Sequence, residues 1–342
     1  MKTAGLILAG VLILPVALLI QLHAQQPGGN AQQPRGNSPV ADDDSGAPIK
    51  VDVDVVNLYC AVRTKQNALI SNLEKGDFSL AEDGASQTIK YFTRETDLPL
   101  TIGLLVDVSN SQQNLIEIER RAASAFFSSV LKKKDVAFLI SFGADSELLQ
   151  DITGSPRILQ EGLNRMKLNG GFSGINSGPV PTMTKPRGTV LYDAVYVAAN
   201  DMLAKEVGRK AIVLITDGDD QGSRETERAA IEAAQKADAI IYGIYYVDRQ
   251  FYAGFGAGTS GDSVLKHMSD ETGGRLFQVD RKNTLDSIFD QIQQEMRTQY
   301  AIGYTPTNGK KDGSYRKIDL RTVNKDQKVQ VRKGYYALPN QQ

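Results

Sequence analysis

The chain has 342 residues, too many for one ordinary core, so two or more folding units are expected. Its 39 basic and 40 acidic residues leave a formal net charge of -1 with no long basic run, which gives no electrostatic case for a nucleic-acid partner. Cys60 is the sole cysteine, which excludes an internal disulfide and a cysteine zinc cluster and suits a buried strand position.

Residues 1–24 read as a secretory signal peptide, with Lys2, an apolar run over 4–20 and small Ala24 before Gln25. The alternative is an uncleaved anchor, since the apolar run is only slightly short of a membrane span. Both readings export the chain to the periplasm, the cell envelope or the medium, with membrane contact only through an uncleaved leader. Residues 25–48, QQPGGNAQQPRGNSPVADDDSGAP, carry too little apolar side chain to offset their ordering entropy and read as a flexible linker.

Residues 49–97 form an N-terminal β-rich segment: VDVDVVNLYCAV alternates apolar and polar residues at period two, as a half-buried strand does, and DFSLAEDG and QTIKYFTRE follow between Gly and Asp turn signals. Residues 300–342 have the same character in YAIGYTP, YRKIDLRTV and KVQVRKGYYAL. Each flank alone has few strands for a core, so the two are expected to pack as one sandwich-like unit.

The middle, 98–299, alternates apolar strand runs with longer helical segments. LTIGLLVDVS, DVAFLISFG, KAIVLITDG, AIIYGIYYV and RLFQVD read as strands, with ELLQDIT a short hairpin partner. NLIEIERRAASAFFSSVLKKK, RILQEGLNRMKL, TVLYDAVYVAANDMLAKE, ETERAAIEAAQKA, SVLKHMSDETGG and TLDSIFDQIQQEMRTQ read as helices. Such alternation predicts an α/β fold: a doubly wound, mostly parallel sheet with helices on both faces, whose ligands collect at the carboxyl ends of the strands where strand order reverses.

Two strand ends there carry acids. LLVDVSNSQQ places Asp107, Ser109 and Ser111 at alternate positions after one apolar run, and IVLITDGDD places Asp217 after another. If those strands are neighbours, two carboxylates face one crevice. They repel unless protonated or bridged by a cation, and an all-oxygen donor set without His or Cys favours Mg²⁺, with Mn²⁺ and Ca²⁺ sharing the chemistry. The bland reading is that Asp107, Ser109 or Ser111 satisfies free N–H groups at the start of the next helix.

These residues resemble the von Willebrand factor type A domain and its metal-ion-dependent adhesion site. The family's Asp, Ser and Ser at alternate positions match DVSNS, its threonine from a second loop matches Thr189 in GTVLYDAV, and its strand-end aspartate matches Asp217 in ITDGDD. The resemblance covers residues 98–299, and the flanks are similar to those of exported bacterial proteins with a related domain. It implies that Ser109, Ser111 and Thr189 coordinate the cation directly, that Asp107 and Asp217 do so directly or through water, and that a carboxylate from an Asp or Glu of a protein or peptide partner fills an open position. It implies a non-enzymatic adhesion module. The sequence departs from the family in the first loop, where Asn110 and Gln112 replace small residues and alter the rim.

The rival function is a metal-dependent hydrolase or phosphotransferase with Asp107 as nucleophile, although no histidine or lysine is placed by any motif as acid or base. Asp219 and Asp220 read as a solvated turn and His267 as a surface or core residue. The Gly-rich stretch 169–178 lacks the context of a phosphate loop and reads as a rim loop beside Thr189. Lys132, Lys133 and Lys134 read as the end of a helix, and Tyr242, Tyr245 and Tyr246 as strand packing.

Overall fold

The computed structural model describes residues 55–94, 98–170, 188–249 and 261–339. The signal peptide, the linker and most of the Gly-rich stretch lie outside the described residues. Contacts divide the chain into residues 1–51 and 52–342, and every described residue belongs to the second unit.

The first strands are β1 (Val56–Thr64), β2 (Leu69–Ile70), β3 (Phe78–Glu82), β4 (Ala85–Gln87) and β5 (Ile89–Thr93). A βα series follows: β6 (Leu100–Asp107), α1 (Ile116–Val130), β7 (Val136–Phe142), β8 (Ser146–Thr153), α2 (Pro156–Asn164) and α3 (Leu191–Val197), which runs on as a π-helical stretch over Ala198–Leu203. Then come β9 (Arg209–Thr216), α4 (Glu227–Lys236), β10 (Ala239–Tyr245), α5 (Gly261–Thr272), β11 (Leu276–Gln278) and α6 (Leu285–Arg297). The chain closes with β12 (Tyr300–Tyr304), β13 (Tyr315–Thr322), β14 (Gln327–Gln330) and β15 (Gly334–Tyr336). The protein is therefore a mixed α/β fold. Among the described residues no helix is long and apolar enough to cross a membrane.

The central sheet has the order β11-β10-β9-β6-β7-β8. β6 pairs in parallel with both β7 and β9, β10 with β9 and β11, and only β8 runs antiparallel, against β7. After β6 the chain builds outward through β7 and β8, then returns to add β9 on the other side of β6. Strand order thus reverses between β6 and β9.

Continuous apolar runs such as LTIGLLVD suit a sheet covered on both faces, and period two sends alternate side chains to opposite sides. Ile102, Leu104 and Val106 join α1 and α6 in one core, whereas Leu105 joins α3, α4 and α5 in another. α1 buries Ile116, Glu119, Ala122, Ala123, Phe126, Phe127 and Val130, the spacing of one helical face. Thr226 and Thr284 cap α4 and α6 by accepting from Ala229 N and Ser287 N. Lys132, Lys133 and Lys134 lie beyond the end of α1 at Val130, in the loop before β7, so they do not occupy its last turn.

The flanks make two antiparallel sheets, β14-β1-β12-β5 with β2 beside β1, and β15-β13-β3-β4. One apolar cluster joins them, drawing Leu58, Cys60 and Phe78 from the N-terminal side and Tyr300, Ile302 and Leu320 from the C-terminal side. One strand reading needs correction. β1 is not half-buried along its length: residues 60–63 are all buried, because its first half pairs with β12 and its second with β14 and β2. The run KVQVRKGYYAL supplies two strands: Gln327–Gln330 pairs with β1 and Gly334–Tyr336 with β13 in the other sheet.

Candidate metal centre

Asp107 is the last residue of β6, and Asp217 follows the last residue of the adjacent β9. Both are fully buried. Between them stands Thr216, also fully buried, whose hydroxyl donates to Asp107 Oδ2 at 2.5 Å and accepts from Gly218 N at 3.0 Å. Asp107 Oδ1 accepts from Ser109 N at 2.9 Å, which turns the chain so that Ser109 Oγ and Ser111 Oγ lie 3.0 Å apart. Ser109 occupies the N-cap of the short 3₁₀ turn Asn110–Gln112 without a side-chain capping bond, and α1 begins after Leu115, again without one. The two serine hydroxyls therefore do not serve as helix caps; they face each other.

The second and third loops converge on the same edge. Thr189 is 5% exposed, and its carbonyl accepts from Gln221 N at 3.0 Å. Its neighbour Val190 donates from N to Gly143 O at 2.9 Å, at the end of β7 beside the first loop. Ser223 Oγ accepts from Tyr192 N and Asp193 N and donates to Asp220 Oδ1, while Asp193 Oδ1 accepts from Arg224 N and Glu225 N. Asp220 also accepts from Tyr192 N at 3.3 Å and is half-buried, so it ties two loops together instead of standing in a solvated turn. Gly218 holds φ +77°, and a Cβ there would run into the backbone of Gly261, so this turn requires glycine.

Burial first, and the nearby Asp217 carboxylate second, push the Asp107 carboxyl up to about 7; the Ser109 and Thr216 hydrogen bonds pull the other way without cancelling them. The donors at this edge are carboxylate and hydroxyl oxygens, the set a small hard dication takes, and two adjacent buried acids are the electrostatic condition that such an ion relieves. Among the described residues no three His, Cys, Asp or Glu side chains form a metal-binding group, so a cation here depends on the hydroxyls as much as the acids. Asp107 ends β6, and Ser109, Ser111, Thr189 and Asp217 sit in the segments beyond the strands, at the carboxyl edge where strand order reverses.

No protein-family model and no curated protein matches the chain. Solved structures with a similar arrangement exist. An aerotolerance-related membrane protein from Bacteroides fragilis, carrying multiple mutations to serine, is 20% identical over 58% of this chain and 98% of its own, with a TM-score of 0.41. The vWF domain of the type V pili tip protein Mfa5 from Porphyromonas gingivalis is 14% identical over 58% of this chain and 94% of its own, with a TM-score of 0.41. Proximal thread matrix protein 1 from the mussel byssus, with a zinc-occupied MIDAS motif, is 12% identical over 63% of this chain and 49% of its own, with a TM-score of 0.45. At these identities and scores the likenesses assign neither function nor site residues to this chain.

Three residues here, Thr216, Asn114 and Glu119, are absent from the motif reading, and a fourth, Gln112, is placed differently. Thr216 was legible only as a hydroxyl preceding a strand-end acid. Gln112 is fully buried instead of altering the rim, with Nε2 donating to Tyr246 O at 3.3 Å. Asn114 Nδ2 donates to Asp248 Oδ2 at 2.6 Å, joining the first loop to the segment after β10. Glu119 is fully buried one turn into α1, and its signal was an acid on the apolar stripe of Ile116, Ala122 and Ala123. Elsewhere, His267 is exposed and contacts Glu227 at 2.7 Å. Tyr242 is fully buried, whereas Tyr245 and Tyr246 are half-buried.

Proposed function

We propose that the chain is an exported, divalent-cation-dependent protein-binding module. In this reading the central sheet is the doubly wound arrangement of a von Willebrand factor A-like domain, and Asp107, Ser109, Ser111, Thr189 and Asp217 hold Mg²⁺ or, in its place, Mn²⁺ or Ca²⁺. The observation that carries it is the pairing of a buried, destabilised Asp107 with two hydroxyls 3.0 Å apart on the next turn, beside Asp217 on the adjacent strand end.

The cation supplies a Lewis-acidic point to which a carboxylate can bind. The residues do the rest. Neutral hydroxyls from Ser109, Ser111 and Thr189 leave most of the positive charge uncancelled, which favours an acidic side chain from a protein or peptide partner. Thr216 fixes the Asp107 carboxyl from the neighbouring strand, and the Asp220, Ser223 and Asp193 bonds hold the second and third loops together. Asp107 is 0% exposed and occupied at both oxygens, a poor position for an attacking nucleophile. The hydrolase reading has no comparable support.

The test is capture of partners from envelope extract with Mg²⁺ and with chelator, for the wild-type chain and Ser111→Ala, beside a panel of phosphate esters. Partners retained only with cation and lost in the variant support binding. Capture unaffected by chelator, or ester hydrolysis abolished by Asp107→Ala, would overturn it.

A further inference from the structure

Two polar side chains that follow Asp107 in the chain, Gln112 and Glu119, are fully buried. Glu119 is 0% exposed, and neither of its carboxyl oxygens has a hydrogen-bond partner among the described residues. Gln112, also 0% exposed, is in the same condition at Oε1. A buried carboxyl left without a partner is costly, and a fold that gained nothing from it would do better with an apolar side chain on that stripe.

The other buried glutamates and Asp135 are treated differently. Glu82 is met by Arg316, Tyr304 and Tyr335; Glu295 by Arg63, Arg275 and Gln330; Asp135 by Arg297. The charges that act on Glu119 are instead those of Asp107 and Asp217, and these, after burial itself, hold its carboxyl well above the usual carboxylate range. Glu119 is thus near enough to both acids of the strand edge to feel their charge, without forming a three-acid metal-binding group with them.

We infer that Glu119 is a further acid of the same cation centre, a positioning residue that supports the ion from below without taking a coordination position. This rests on the cation reading above. From the first turn of α1 it adds the negative charge that Ser109, Ser111 and Thr189 cannot, while the position open to a partner's carboxylate stays free. Residues one layer behind metal ligands commonly matter this way, and their loss weakens metal affinity about 10–100-fold.

The test uses the full chain and Mn²⁺ as the probe, with affinity read by calorimetric titration and stability by thermal melting, each with cation and with chelator. Glu119→Gln should weaken Mn²⁺ binding by about 10–100-fold, while its melting temperature in chelator is unchanged or higher. Glu119→Leu should do the same with an apolar side chain that suits the stripe, and Glu119→Asp, which keeps the charge, should retain most of the affinity. An acid that served only the fold would lower the melting temperature equally with and without cation. Wild-type affinity in both Glu119→Gln and Glu119→Leu, or an equal loss of stability in both media, overturns the inference. If the wild-type chain itself ignores Mn²⁺, the cation reading fails first and this one with it.

Discussion

The flanking sheets and the carboxyl edge of the central sheet both bury acids, but they neutralise them differently. Glu82, 2% exposed, carries an arginine and two tyrosine hydroxyls inside the flank core. Asp107 and Glu119, both 0% exposed, have no salt bridge among the described residues. An acid that stabilises a fold brings its own counter-charge, whereas one kept without it is suited to a charge from outside.

The largest expected effect lies in the flank. Arg316→Met leaves Glu82 buried without its cation and should cost about 3–5 kcal/mol, read as a lower urea midpoint at constant m-value. The loss should be the same with Mg²⁺ and with chelator. A cost that changes with cation would erase the distinction between the two regions.

At the strand edge, stability should depend on pH through Asp107. Burial and Asp217 raise Asp107 from 3.8 to about 7 in the folded chain, so folding takes up a proton. The stability linked to Asp107 is therefore fully present below the unfolded value and is lost as pH rises through about 7. In chelator, the wild-type chain should lose on the order of 4 kcal/mol relative to Asp107→Asn between those limits. Saturating Mg²⁺ should abolish that slope by replacing the proton. A flat difference curve in chelator would mean Asp107 ionises without penalty.

The smallest stability effect should come from Ser109→Ala. Its hydroxyl makes no capping bond but meets Ser111 and the Asp107 carboxyl, so about 0.5–1.5 kcal/mol is expected in chelator, the worth of a neutral hydrogen bond. Cation response should nevertheless fall sharply. A large loss of stability with cation response intact would return the serine to a structural role.

Alternation of strand and helix patterns made the central sheet legible, since runs such as LTIGLLVD can be satisfied only between two covered faces. The carboxyl edge was legible because Asp107, Ser109 and Ser111 combine a carboxylate and hydroxyls at a spacing a simple turn does not require. Charges on buried faces were harder to read. Arg316 is in phase with Ile318 and Leu320 on β13, and Glu119 with Ile116 and Ala122 on α1, but a pattern by itself reads such residues as interruptions of an apolar stripe. Their partners lie far off in sequence: Glu82 is 234 residues from Arg316. The division of KVQVRKGYYAL between two sheets was equally hidden, because each half has a strand's composition and only the identity of its partner strand differs.

The most direct test is Mg²⁺ titration of the chain purified in chelator, followed by calorimetry and by melting temperature, for wild type and Asp217→Asn. Wild type should bind one ion at a saturable site and gain stability by mass action, about 2.7 kcal/mol at a hundredfold excess over Kd. Asp217→Asn should stay folded and show neither response. No saturable binding by wild type, or equal binding by the variant, would contradict the claim that the acids of this edge are held for a cation.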